Sequence, residues 1–158
     1  LLTSEPIIFL DIGAGGQNEP LVEKYHEEFE RLYVEPRIKD TAKTSNKEAP
    51  IIEKAISDKL GTSKFYRTHA DELSSLLQPT GEFATYYASS NWNELANVTN
   101  IETTTIDQAL AELSVSKLDY LKIDTQGTEL DVLKGLGQYK PLFVTCEIFS
   151  CHFIEIAA

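Results

Sequence analysis

Nowhere does the chain approach the ~20 consecutive apolar residues that a membrane-spanning helix requires, and its first residues lack a charged region followed by a cleavable apolar stretch. A soluble, cytoplasmic protein with no membrane partner is therefore expected. Cysteine is scarce: Cys146 and Cys151 are the two present in 158 residues, too few for a disulfide framework. His152 beside Cys151 is a loose hint of metal ligation, but thiols in strands are more often simply buried, and no metal is expected. Basic residues are outnumbered, 14 against 25 acidic, for a formal charge of −11. That balance repels nucleic acid phosphates and anionic bilayers, so no nucleic acid partner is expected. Asn97-Val98-Thr99 matches the glycosylation triplet and, with no secretion signal, is read as unused. Internal repeats, coiled-coil heptads and low-complexity tracts are missing as well.

What remains is a chain with 42% hydrophobic residues, enough to fill one core. A single domain over residues 1–158 is expected. Because the chain starts at Leu1 and stops at Ala158 shortly after a predicted strand, that domain is expected to be truncated at its C-terminus. Its oligomeric state cannot be read from the pattern.

Ile7-Ile8-Phe9-Leu10 is a continuous apolar run of the kind found in a strand covered on both faces, and it leads into the glycine turn Asp11-Ile12-Gly13-Ala14-Gly15-Gly16. From Pro20, the apolar residues Leu21, Val22, Tyr25, Phe29 and Leu32 follow helical spacing, with Pro20 suited to a first turn and Asn18 to a cap. Leu32-Tyr33-Val34 predicts a second strand, ended by Pro36, with Glu35 at its C-terminal end. Pro50 to Ile56 predicts a third strand and Ser63 to Thr68 another. Asp71 to Asn100 shows no sustained period and is read as loops with short ordered pieces. Thr105 and Gln108 resemble a capping box ahead of a short helix with Ile106, Ala109, Leu110 and Leu113 as its apolar stripe. Leu118 to Ile123 is the next strand, a helix follows from near Thr128 with Gly137 near its end, and Leu142 to Ile148 is the fifth strand. This alternation predicts an α/β, Rossmann-like fold, a mainly parallel sheet with helices on both faces.

In such a sheet ligands bind at the C-terminal strand ends near the point where strand order reverses. Asp11, Glu35 and Asp124 all fall at predicted strand ends. The glycines permit close backbone approach to a ligand, and Glu35 follows the turn by about twenty residues, the spacing at which a carboxylate meets ribose hydroxyls. An adenosine-containing cofactor is expected. Gly13-Ala14-Gly15-Gly16-Gln17-Asn18 lacks the final Gly or Ala of the nicotinamide fingerprint, which weakens that reading without removing it.

Phe9-Leu10-Asp11-Ile12-Gly13-Ala14-Gly15, Tyr33-Val34-Glu35-Pro36 and Ala55-Ile56-Ser57-Asp58 ahead of Gly61 resemble the FkbM methyltransferase family. The resemblance is strongest from Leu118 through Lys122-Ile123-Asp124-Thr125-Gln126-Gly127-Thr128-Glu129-Leu130 to Gly135. It implies the class I methyltransferase fold, a seven-stranded sheet with an antiparallel final strand, of which about five strands are accounted for here. It further implies S-adenosyl-L-methionine as cofactor. Asp11 and the backbone of Gly13, Ala14 and Gly15 would hold its methionine portion, Glu35 its ribose, and Ala55 and Ile56 would border adenine. Gln126 stands where many members carry Glu. The acceptor class implied is a hydroxyl of a sugar, polyketide or related small molecule. Asp124 is the first choice for a general base, with His69 and Glu147 behind it, and Lys122 is expected to pair with a carboxylate. Glu35 is expected at an open strand edge, where truncation would spare the fold. Two other readings stay open: a nicotinamide-dependent oxidoreductase, and a noncatalytic cofactor-binding module.

Overall fold

The computed structural model describes residues 5–15, 19–37, 49–80, 91–92 and 94–148. At its centre lies β1 (Ile7–Ile12), buried at every position from Ile8 onward. A strand covered on both faces needs apolar residues in succession rather than alternation, and Ile8-Phe9-Leu10 supplies them. Ile8, Leu10 and Ile12 turn to one face, where they pack with Ile106 and Leu110 of α2 (Ile106–Glu112) and Val132 of α3 (Glu129–Lys134). Phe9 turns to the other face, against Val22 of α1 (Pro20–Lys24). Its ring centroid lies 5.0 Å from that of Tyr120 and 6.2 Å from that of Phe29. Helices therefore cover both faces, as expected.

β1 runs parallel to β2 (Phe29–Val34) on one side and to β7 (Tyr120–Ile123) on the other. The sheet continues to β3 (Ile51–Ile52) and β8 (Phe143–Cys146) in the order β3-β2-β1-β7-β8, every pairing parallel. The chain thus moves outward from β1 to β3, then returns across the sheet and moves outward the other way. The reversal falls between β1 and β7, and the crevice beyond their C-terminal ends is the place such folds bind ligands. Gly13 and Asp124 are the first residues past those two ends. A smaller sheet joins β4 (Ala55–Ile56), β5 (Gly61–Thr68) and β6 (Leu95–Thr104) in the order β4-β6-β5, with β5 and β6 antiparallel from Gly61 opposite Thr103 to Thr68 opposite Leu95.

Three expectations give way. The helix begun at Pro20 ends at Lys24, and Phe29 and Leu32 belong to β2. Leu21 and Tyr25 are about half exposed (49% and 47%), so the helical stripe buries little beyond Val22, whereas strand pairing of Phe29 with Ile7 gains both a ladder and the ring contact with Phe9. The cap position is Glu19, without a side-chain bond; Asn18 lies outside the described residues. The single strand expected over Pro50 to Ile56 is two: Ile51–Ile52 pairs with β2 and Ala55–Ile56 with β6, the chain crossing between sheets at Glu53 and Lys54. Part of the segment expected as loop is β6, whose first six residues are exposed. With that stretch facing solvent there is no buried face to impose alternation on the sequence; antiparallel pairing with β5 defines the strand.

The cap of α2 is half of the box expected. Thr105 Oγ1 accepts from the Gln108 amide at 3.1 Å, but the Gln108 side chain donates forward to Glu112 Oε1 at 3.0 Å. Among the described residues no helix is long and apolar enough to cross a membrane.

Candidate functional site

Three strand ends are tied together at the crevice. The amides of Gly13 and Ala14 both donate to the Val34 carbonyl, at 3.0 and 3.3 Å, and the Asp124 amide donates to the Ile12 carbonyl at 2.9 Å. Gly13 has φ of +87°, and a Cβ on it would run into the backbone carbonyl of Asp124. Glycine is thus required twice over, by the dihedral and by the contact between the β1 and β7 ends.

Glu35 follows β2, its amide donating to the Ile52 carbonyl at 3.1 Å. The expected open edge is not found: Glu35 is 1% exposed, because Pro36 turns the chain so that Arg37 folds back over it. The Glu35 carboxylate accepts from the Gly15 amide at 2.7 Å, the Arg37 amide at 2.9 Å, Arg37 Nε at 2.8 Å and Arg37 Nη2 at 3.0 Å. The Arg37 side chain is itself only 9% exposed and also donates through Nη1 to the Asp71 carbonyl. Burial works against the guanidinium charge, but Glu35 outweighs it and leaves the Arg37 pKa raised. Removing one partner of such a pair strands the other in low dielectric. Glu35→Ala is therefore expected to lower folding stability by about 3 kcal/mol, read by urea denaturation as a fall in midpoint at unchanged slope. A loss well under 1 kcal/mol would mean that Arg37 escapes to water unhindered.

Asp124 accepts from Gln126 Nε2 at 2.5 Å. Its loop is pinned from two sides. Glu129 Oε1 accepts from the Thr125 amide, the Thr125 hydroxyl and the Gly127 amide at 3.3, 3.1 and 2.8 Å, and the buried Ser75 hydroxyl bonds the carbonyls of Thr125 and Gln126 at 3.2 and 2.9 Å. Burial, with the like charge of Glu147 added, pushes the Asp124 carboxyl up to about 6 against the opposing pull of Lys122 and the Gln126 bond. With glutamine rather than glutamate at position 126, Asp124 gains an amide donor and is spared an adjacent negative charge. Lys122 finds the carboxylate expected of it: Nζ lies 3.0 Å from Asp11 Oδ1, across the register that sets Asp11 beside Lys122. Burial raises the Asp11 carboxyl above its ordinary range, and Lys122 opposes the shift.

One cleft gathers most of these groups. Gly13, Glu35, Ala55, Ile56 and Asp124 all line it, with Arg37 and Phe65. Gly15 stands just behind Glu35, held by its carboxylate. Asp11 is buried (3% exposed) and holds Lys122 below the turn rather than lining the cleft. His69 is exposed, its amide donating to the Glu94 carbonyl, and it does not line the cleft. Glu147 is exposed but close enough to act on Asp124 electrostatically. Cys151 and His152 lie outside the described residues.

Sequence reasoning missed Arg37, Phe65, Ser74, Ser75 and Leu76, which also line the cleft. Arg37 had a signal, an opposite charge two residues from Glu35 across a proline. Ser74 and Ser75 had none, because their place depends on the bridge between Tyr66 and Ser75.

A parallel sheet with its crevice at the β1/β7 reversal, a glycine turn there and a carboxylate after the neighbouring strand define a Rossmann-like α/β fold. Within that class, the family model for the methyltransferase FkbM domain matches residues 11–156, and the chain belongs to that family, with the class I methyltransferase fold and methyl transfer as its chemistry. No curated protein and no solved structure matches the chain.

Proposed function

We propose that the chain transfers the methyl group of S-adenosyl-L-methionine to a hydroxyl of a small molecule, a sugar or polyketide by the family resemblance, and does so in the cytoplasm. The observation that carries the reading is the set of groups that meet in one cleft: apolar Ala55, Ile56 and Phe65, the Glu35 carboxylate, Gly13 and Asp124. Apolar side chains for an adenine, a carboxylate for a ribose and a glycine turn for an amino-acid tail are the chemistry such a cofactor needs. Ala55 and Ile56 would border adenine, Glu35 would accept from the ribose hydroxyls, and the Gly13 to Gly15 backbone would face the methionine portion, with Asp11, tied to Lys122, supporting that turn rather than touching the group.

When bound, this cofactor supplies a methyl group activated by a sulfonium. The protein's part is to align an acceptor lone pair at about 3 to 3.5 Å and to take the acceptor's proton. Asp124 is suited to taking that proton, because a carboxyl with its pKa raised to about 6 is ionised at neutral pH yet holds a proton better than an ordinary aspartate. Gln126 fixes its orientation. A hydroxyl acceptor is favoured because it is the acceptor that benefits from such a base.

S-adenosylhomocysteine at a hundred times its Kd is expected to stabilise the folded chain by about 2.7 kcal/mol, read as a rise in melting temperature, while NAD at the same concentration produces none. Stabilisation by NAD alone would replace the methyltransferase cofactor with a nicotinamide one.

A further inference from the structure

An ionised carboxylate offers about four lone-pair sites, and all four of those on Glu35 are taken: by the Gly15 amide, the Arg37 amide, Arg37 Nε and Arg37 Nη2. A ribose diol cannot add to this carboxylate; it can only replace something. The two backbone amides belong to the turns that shape the site, whereas the two guanidinium bonds come from one side chain. That side chain lines the same cleft as Glu35. A Cβ on Gly15 would meet Arg37 Nη2 first and Glu35 Oε2 next, so the guanidinium lies close against the glycine turn.

We propose that Arg37 is a resident competitor for the ribose site, its forked guanidinium occupying both oxygens of Glu35 and giving way to the two ribose hydroxyls on binding. The inference rests on the cofactor reading above and extends it to a residue that sets affinity and release. Two charge-assisted bonds from a planar fork are exchanged for two neutral donors, so Arg37 lowers the binding-competent fraction and the apparent affinity with it. The same side chain, returning to Glu35, drives the nucleoside out after turnover. Asp71 offers it somewhere to go: Nη1 already bonds the Asp71 carbonyl, and the Asp71 side chain accepts from Arg67 Nη2 at 3.1 Å.

Arg37 is thus a positioning residue, and its removal should tighten binding where a merely structural residue's removal would weaken it. The test is calorimetric titration of the whole chain and its Arg37→Ala and Arg37→Lys forms with S-adenosylhomocysteine, adenosine and adenine. Arg37→Ala is expected to bind the two ribose-containing probes about tenfold more tightly, with slower dissociation. Arg37→Lys keeps the charge and loses the fork, so it should fall between Arg37→Ala and the parent, and it decides the matter alone if the alanine form does not fold. Adenine has no ribose and should bind all forms alike. Unchanged or weaker binding of S-adenosylhomocysteine by the folded variants overturns the proposal, as does equal tightening toward adenine. Failure of S-adenosylhomocysteine to bind any form, with adenosine still responding to Arg37, overturns the cofactor reading and leaves the exchange at Glu35 standing.

Discussion

Gly13→Ala is expected to lower stability by about 4 kcal/mol or more and to leave little folded protein. Two effects add. The φ of +87° is strained for any residue with a Cβ, and the added methyl would be driven into the Asp124 carbonyl, which is backbone and cannot rotate aside. Relief requires the ends of β1 and β7 to separate, which breaks the 2.9 Å bond from the Asp124 amide to the Ile12 carbonyl and opens the crevice floor. Gly15→Ala is the control. Its methyl would meet the ends of the Arg37 and Glu35 side chains, which can move, so the loss should be distinctly smaller. Equal loss at both positions, measured by urea denaturation, would show that the contact with Asp124 is not the cause.

The second large effect falls on turnover. As the proposed general base, Asp124 replaced by asparagine should lose roughly 10²-fold or more in kcat while S-adenosylhomocysteine binds as before. The parent protein's kcat/KM for the methyl donor, which follows the free protein, should rise with pH through about 6 as the carboxyl raised to that value by burial ionises, and the asparagine variant should be flat there. An equal loss of cofactor affinity would assign Asp124 to the binding shell. Undiminished turnover would remove it from both roles.

The elements legible in the sequence were those whose burial is local and dense. Ile7 to Leu10 is a continuous apolar run, and Leu118, Tyr120, Leu121 and Ile123 supply most of another, because β1 and β7 are buried in the sheet, and such stretches read as strands without help. Asp124, Glu35 and Gly13 were legible for a related reason: a site at strand C-termini can be located once the strands are. Where tertiary pairing overrode local pattern, the reading failed. Phe29 fits a helical stripe, yet it sits in β2 beside Phe9, and nothing between Pro20 and Leu32 announces that the helix stops at Lys24. The exposed first part of β6 carries no alternation, so it looked like loop. Ile51-Ile52 and Ala55-Ile56 looked like one strand because a sequence does not say which sheet each pair joins. The burial of Glu35 was hidden because it depends on a rotamer of Arg37, a matter of three-dimensional packing across a proline turn.

The raised acidity threshold of Asp124 has a further meaning for the charge held inside the cleft. A sulfonium neighbour would favour the ionised carboxylate, so the proposed resting complex pairs one positive with one negative centre. With that cofactor held there, a proton taken up by Asp124 would offset the positive charge given up with the methyl group. The sum of charge within the crevice would then be the same before and after the reaction, and the surrounding dipoles of the Gly13 turn and the pinned 125–127 loop would have no net charge change to follow. A buried carboxyl with Glu147 nearby is sensitive to the charge of whatever occupies the cleft, so in the proposed reaction proton uptake at Asp124 would balance the charge lost by the methyl donor.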